Sequence, residues 1–339
     1  MIENTAAKLP AASGKLFAVA PMMDWTDRHC RVFHRTLSRS ALLYTEMVTE
    51  QAVRHGDRKK LLGFDAIEHP VALQLGGSNP PGLAEASRIG EGFGYDEINL
   101  NVGCPSDRVQ GGHFGACLMA EPKLVTDGFA AMQAAVKIPV TIKCRIGIDD
   151  QDEEQALDEF VGAVSRAGCK TFIIHARKAW LKGLSPKENR EIPPLNYDRV
   201  LRLKTANPKL LISLNGGLES VATSLPHLET LDGIMLGRVA YHVPWELTNV
   251  DPAFAGQAAP VQTRRQAALA MLPYIERHLA TGAPLHHITR HMLGLYHAQA
   301  GGRIWRQILT VEGAKHGAGV EVITKALAAV EEQAARLAA

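Results

Sequence analysis

Four reactive side chain types fall at the ends of short apolar runs in this sequence. A thiol, Cys104, sits in NLNVGCPSDRVQGG, an amine and a guanidinium, Lys143 and Arg145, in PVTIKCRIG, and an imidazole, His175, in TFIIHAR. Cys104 follows the apolar run by one glycine and precedes a proline, so it lies neither in mid-strand nor in mid-helix. One reading makes it a small buried hydrophobe. The other makes it an acid, because an ordinary thiol stays mostly protonated at neutral pH and needs no activation for that task. A nucleophilic cysteine would instead want a partner that lowers its pKa. Lys143 lies inside an apolar run, where an unpaired charge is costly. It has three candidate roles: pairing with a carboxylate, forming an imine with a carbonyl substrate, or placing positive charge beside a cofactor that becomes anionic. With Arg145 two residues on, both long side chains project from the same face of one strand, which suits an anionic ligand.

Two further motifs, SLNGGLES at 213–220 and IMLGRVAY at 234–241, each end an apolar run in glycine just before a helix start. Glycine lets a phosphate approach backbone N–H groups, and a helix start adds partial positive charge. Gln74 and Asn101 also close apolar runs, and their amides could hydrogen-bond a heterocycle or simply cap loops. His175 is either a satisfied structural histidine or part of the same group.

The elements that carry these residues form a pattern. Eight apolar, partly β-branched runs begin at Leu16, Ala41, Val71, Glu97, Pro139, Thr171, Lys209 and Gly233, and most read as strands buried on both faces of a parallel sheet. Helical stretches separate most of them; the clearest, Glu153 to Gly168, opens with acids and closes with glycine. Eight strand–helix alternations over some 240 residues predict an α/β fold, a (β/α)8 TIM barrel, where a doubly wound sheet would have fewer strands. In such barrels the chemistry sits at the C-terminal ends of the strands, and the phosphate site frequently follows strands seven and eight, where the two glycine motifs fall.

The 339 residues, 46% hydrophobic and 21% charged, suit one large domain and a smaller one. The expected division is 1–250 for the barrel and 251–339 for a small all-helical domain, joined through NVDPAFAGQAAPVQ. Net charge is only +2, yet residues 261–318 hold seven Lys or Arg against two acids, so any basic footprint is local. Five unevenly spaced cysteines argue against a disulfide framework, and no CxxC pair suggests zinc, so no metal is expected. With no apolar run of about 18 residues and no apolar signal segment at the N-terminus, a cytoplasmic protein without membrane contact is expected.

APMMDWTDRHCR, LYTEMV, ALQLGGSNP, EINLNVGCPSDRVQGGHFGACLM, IKCRIGIDD, IIHARKAWLKGLSPKENREIPPLNYDRV, LNGGL and DGIMLGR, in that order, resemble the A-type flavin-dependent tRNA-dihydrouridine synthases from about Phe17 to Trp245. The resemblance extends more loosely into the C-terminal helices. It implies an FMN-binding barrel followed by a helical tRNA-binding domain, with NADPH as reductant, tRNA as the partner and no protein partner. Reduced flavin would deliver hydride to C6 of a uridine, and Cys104 would give a proton to C5. Pro21, Met22 and Met23 would lie against the flavin ring, Gln74, Lys143 and His175 would bind it, and Asn215, Gly216, Gly217, Gly237 and Arg238 would hold its phosphate. Asn101 would help position the target base, which D-loop positions 20 and 20a would supply, and Arg145 would contact the tRNA substrate. Lys187 and Arg190, with Arg303 and Arg306 flanking Trp305, would contact the tRNA backbone, and the tryptophan would stack. The alternatives are a flavin barrel acting on a small metabolite, an imine-forming aldolase using Lys143, and an RNA-binding protein without turnover.

Overall fold

The computed structural model describes residues 14–106 and 111–338. Its strands are β1 (Leu16–Val19), β2 (Leu42–Tyr44), β3 (Val48–Thr49), β4 (Val71–Gly76), β5 (Glu97–Val102), β6 (Val140–Arg145), β7 (Thr171–His175), β8 (Leu211–Asn215) and β9 (Gly233–Leu236). All pairings are parallel, in the order β2-β1-β9-β8-β7-β6-β5-β4, and a β2–β4 pairing closes the ring. Each of the eight expected runs holds a strand of this barrel. β3 is an addition: β2 runs beside the start of β4 and β3 beside its end, so the two share one barrel position. Between them Thr45 turns its hydroxyl to accept the Gln74 amide N–H at 3.0 Å, which interrupts the ladder and fixes a residue at the barrel mouth.

The outward faces of the strands are apolar and pack on helices, as parallel sheets require. Ile98, Leu100 and Val102 of β5 share a core with Leu83, Phe129 and Phe160 from three helices. The helix expected from Glu153 runs to Arg166. Asp152 caps it, accepting from the amides of Glu154 and Gln155 at 2.9 Å, and Gly168 takes φ +104° just beyond its end. The inner faces differ: alongside Ala18, Ala72, Ile173 and Met235 they carry Gln74, Glu97, Asn99, Asn101 and Thr141, all buried.

Beyond β9 the chain is helical. The expected linker begins as a docked segment: buried Asp251 accepts hydrogen bonds from the Ser38 and Ser40 hydroxyls and the Arg39 and Ser40 amides, and Phe254 packs edge-on against Phe17 of β1. One apolar cluster therefore runs from β1 through the helix Arg28–Leu37 into the C-terminal helices. A polar clasp reinforces it, with Asp27 bridging to Arg290 at 2.6 Å and His291 at 3.0 Å. Trp305 lies in this core, fully buried, its indole N–H donating to the Met292 carbonyl at 2.9 Å. The stacking expected of it is thereby excluded, because no face reaches solvent; the apolar side of its helix, not the basic one, claims the ring. Trp305→Ala should cost about 3–5 kcal/mol of stability, read from urea denaturation.

Candidate active site

The C-terminal ends of the barrel strands open into a cleft of about 1010 Å³. Strand register explains why so many polar side chains meet there. Asn101 pairs with Lys143, and Arg145, His175, Asn215 and Met235 form one row across β6 to β9. Residues in register on neighbouring parallel strands share a face, so these side chains are delivered together. All the residues expected to bind the cofactor line this cleft, as do Cys104, Asn101, Arg145 and Arg190.

Cys104 is half-buried at the rim, its Sγ 3.6 Å from the Ser106 hydroxyl. Its backbone is held firmly. The Asn101 side chain oxygen accepts the amides of Gly103 at 3.1 Å and Cys104 at 3.0 Å, while the Cys104 carbonyl accepts from Ala116. Asn101 Nδ2 donates to Gln74 Oε1 at 2.8 Å, so both ends of the Asn101 amide are engaged within the protein. The expected base-contacting residue is thus first a brace for the cysteine turn. Across the mouth, Pro21–Met23 are fixed by a turn in which the Thr26 hydroxyl bonds the Met22 backbone at both ends, and Met23 stands exposed.

The opposite wall is positive. Lys143 Nζ has no hydrogen-bond or ion-pair partner among the described residues, which removes the carboxylate-paired reading of this lysine. Burial, then the Arg145 charge, pushes its amine down to about 8. Arg145 is buried, and burial lowers it to about 10, so it remains charged at neutral pH. Its Nε and Nη1 donate to the carbonyls of Gly103 (3.0 Å), Lys178 (3.0 Å) and Asn189 (2.9 Å), so it braces the Cys104 turn against the 178–191 loop, while its Nη2 has no hydrogen-bond partner among the described residues. Burial, then the charges of Arg145, Lys143 and Arg177, holds the His175 imidazole well below its usual range and keeps it neutral. Arg177 is legible in the sequence only as a strand-end charge. It lines the cleft with a buried Nε that has no partner.

The glycine motifs form the third wall. Gly216 takes φ +106° and Gly217 φ +65°. A Cβ on Gly216 would come within 2.5 Å of His175 Cδ2, and one on Gly217 within 2.4 Å of Leu195 Cδ1 and 2.9 Å of the Tyr197 hydroxyl. Both glycines are therefore required by conformation and by space. Asn215 donates to the Met235 carbonyl at 2.8 Å, tying β8 to β9 beneath them. Helices Val221–Ser224 and Arg238–His242, which follow the two motifs, span only four and five residues, so most of the positive potential comes from side chains. Arg238, the nearest, pairs with Glu191 at 2.7 Å with both partly exposed, an arrangement that an incoming anion can rearrange at little cost. Gly217→Ala should lower stability by about 1–3 kcal/mol through the left-handed backbone alone, measured by thermal melting.

Three expected contacts lie elsewhere: Lys187 is exposed on the loop beyond the cleft, and Arg303 and Arg306 are exposed on the helix Gly302–Val311. Sequence reasoning misses Trp180, which is 37% exposed on the same loop as Arg190. Buried Asn189 shapes that loop, accepting the Trp180 amide at 2.7 Å and donating to the Trp180 and Leu184 carbonyls.

A closed parallel barrel with a thiol at its rim, an unpaired lysine within and a glycine cradle after its last two strands has the architecture of the barrel-enzyme class, with charge and room in its cleft for an anion. Comparison with known proteins narrows that class. The sequence pattern of the dihydrouridine synthase (Dus) family matches residues 18–334. The chain is 56% identical over 322 residues to the tRNA-dihydrouridine(20/20a) synthase of Xanthomonas campestris pv. campestris, covering 95% of this chain and 96% of that one. It is 55% identical over 317 residues to the tRNA-dihydrouridine(20/20a) synthase of Vibrio vulnificus, covering 93% and 97%. Among solved structures, morphinone reductase superimposes with a TM-score of 0.51 at 11% identity over 75% of this chain and 88% of its own, a likeness of fold. The chain belongs to the dihydrouridine synthase family and is an oxidoreductase by that membership. No described helix is long and apolar enough to cross a membrane.

Proposed function

We propose that this protein reduces the C5=C6 bond of uridines in tRNA, at the D-loop positions 20 and 20a that its relatives' names carry, using FMN held in the cleft and NADPH as the source of electrons. The observation that carries the reading is the meeting, in one cleft, of Cys104 with Lys143 and the Gly216–Gly217 cradle. The residues fit the cofactor: an unpaired Lys143 amine and an orphaned Arg177 Nε await an anion, and two positive-φ glycines leave room for one. Gly216, Gly217, Gly237 and Arg238 would hold the phosphate, Lys143 and Gln74 the polar edge of the ring, and Pro21 to Met23 its apolar face. His175, kept neutral, adds a hydrogen bond without a second charge.

When bound and reduced, the flavin supplies hydride to C6 of the uracil. Negative charge then collects on C5 and O4, and Cys104 holds the proton that quenches it at C5. The Asn101 bonds to its backbone keep that thiol at a fixed place on the rim. A uridine in folded tRNA must be drawn out of its stack at a cost of a few kcal/mol, which backbone contacts have to offset. Arg190 and Lys187 beside exposed Trp180, with Arg303 and Arg306 on the C-terminal helices, supply charge and one stacking surface. Residues 251–339 serve as the tRNA-binding part on this reading, and a cytoplasmic location follows from the substrate.

Incubating the protein with FMN, NADPH and unmodified tRNA, then mapping the 2 Da mass gain by nuclease digestion, tests the proposal. Gain at 20 and 20a supports it; gain nowhere rejects it. Replacing Arg303 and Arg306 with alanine should reduce the log–log salt slope of tRNA binding by about one for each phosphate that these arginines neutralise. An unchanged slope in filter binding would remove both from the interface.

A further inference from the structure

We propose that Glu97, on the floor of the barrel interior, is a positioning residue that acts through Thr141 on a one-way chain of hydrogen bonds ending at the Cys104 backbone and at Gln74. The role given to the end of the chain rests on the function proposed above. The observation is the connectivity. Tyr44 and Thr141 both donate their hydroxyls to Glu97 Oε1, the latter at 2.6 Å. Thr141, its only hydroxyl proton given to the carboxylate, accepts from Asn99 Nδ2 at 2.8 Å. Asn99 Oδ1 then faces Gln74 Nε2 at 2.8 Å, and Gln74 Oε1 faces Asn101 Nδ2 at 2.8 Å. Asn101 Oδ1 is left to receive the backbone amides of Gly103 and Cys104.

The sense of every link is forced. A backbone N–H can only donate, and the Glu97 carboxyl, raised by burial and lowered in turn by the Thr141 and Tyr44 hydroxyls, accepts at the other end. These two termini fix three amides between them, because flipping any one sets N–H against N–H or oxygen against oxygen in a buried place. Burial and the Glu97 charge push the Tyr44 phenol well up, so it stays a donor. β5 alone contributes Glu97, Asn99 and Asn101, alternate residues of one strand that all face inward. The consequences for the site are two. The turn bearing Cys104 is anchored to the barrel floor as well as to the rim, and the second N–H of Gln74 Nε2 is kept as a donor for the cleft that Gln74 lines.

The experiment compares Thr141→Val, which keeps shape but removes both hydrogen-bonding functions, with Thr141→Ser, which restores them. Each is assayed for kcat, KM for tRNA, FMN content and the alkylation rate of Cys104 by iodoacetamide, located by peptide mass mapping. Thr141→Val should retain FMN, lower kcat about tenfold or more and leave KM within about twofold, because misplacement of a reacting group falls on the chemical step. It should also alter the Cys104 alkylation rate by at least about threefold, and Thr141→Ser should return both quantities to near wild type. Paired with Asn101→Ala, Thr141→Val should add little further loss, since both cut one chain. A folded Thr141→Val with wild-type kcat and wild-type alkylation, or a Thr141→Ser no better than valine, overturns the proposal. Should the valine variant not fold, Asn99→Ala severs the chain midway under the same readouts. Wild-type protein that makes no dihydrouridine would overturn the proposed function instead, and the alkylation comparison would still decide the chain.

Discussion

Cys104→Ala should keep its FMN and accept electrons from NADPH, yet form dihydrouridine about 10²- to 10⁴-fold more slowly, the usual range for losing a positioned general acid. The thiol stands half-open at the rim, while the turn's backbone is held by Asn101 and Ala116. Removing Sγ therefore deletes a proton donor and leaves the backbone bonds of the turn in place, and the Ser106 hydroxyl, 3.6 Å from Sγ, is a poorer acid. Flavin reduction followed at its absorbance band, with product counted by mass spectrometry in the same reaction, separates the two halves of the cycle. Product at the wild-type rate would remove Cys104 from the mechanism.

Lys143→Met keeps the length of the side chain and deletes its charge. The cleft then loses its one amine with no partner of its own, so anionic forms of the cofactor are no longer balanced there. Turnover should fall about 10²- to 10³-fold, with FMN bound more weakly. A pH signature accompanies this. In the ligand-free protein the amine lets go of its proton near pH 8, held down by burial and by Arg145. An anion bound beside it favours the protonated form and raises that value, so binding takes up a proton and FMN affinity should decline as pH rises above 8. Calorimetry in two buffers of different ionisation enthalpy reads the proton uptake directly; the methionine variant should show none.

The sequence made the barrel legible because its cue was coarse: eight apolar runs separated by helical stretches, with polar residues gathered at one end of each. What it concealed was mostly a matter of direction. EINLNV reads as a strand, but only closure of the ring decides that Glu97, Asn99 and Asn101 turn inward, where they link to one another, while Ile98 and Leu100 pack on helices. Trp305 misled because a tryptophan between two arginines resembles a nucleic-acid contact, whereas the helix Gly302–Val311 buries the ring and exposes the charges. Arg145 shows a second role that spacing could not reveal: besides lining the cleft, it gives Nε and Nη1 to three backbone carbonyls. The Asp27 clasp with Arg290 and His291 joins residues more than 260 apart, a separation at which spacing carries no signal.

Titration of the purified protein with FMN, followed by flavin fluorescence, addresses the account most directly. Saturation at one FMN per chain, abolished by Gly216→Val and weakened by Lys143→Met while both variants remain folded, is the result expected. Free flavin fluorescence that stays undiminished at every protein concentration would contradict it, since the unpaired lysine and the two left-handed glycines of this cleft would then hold no flavin.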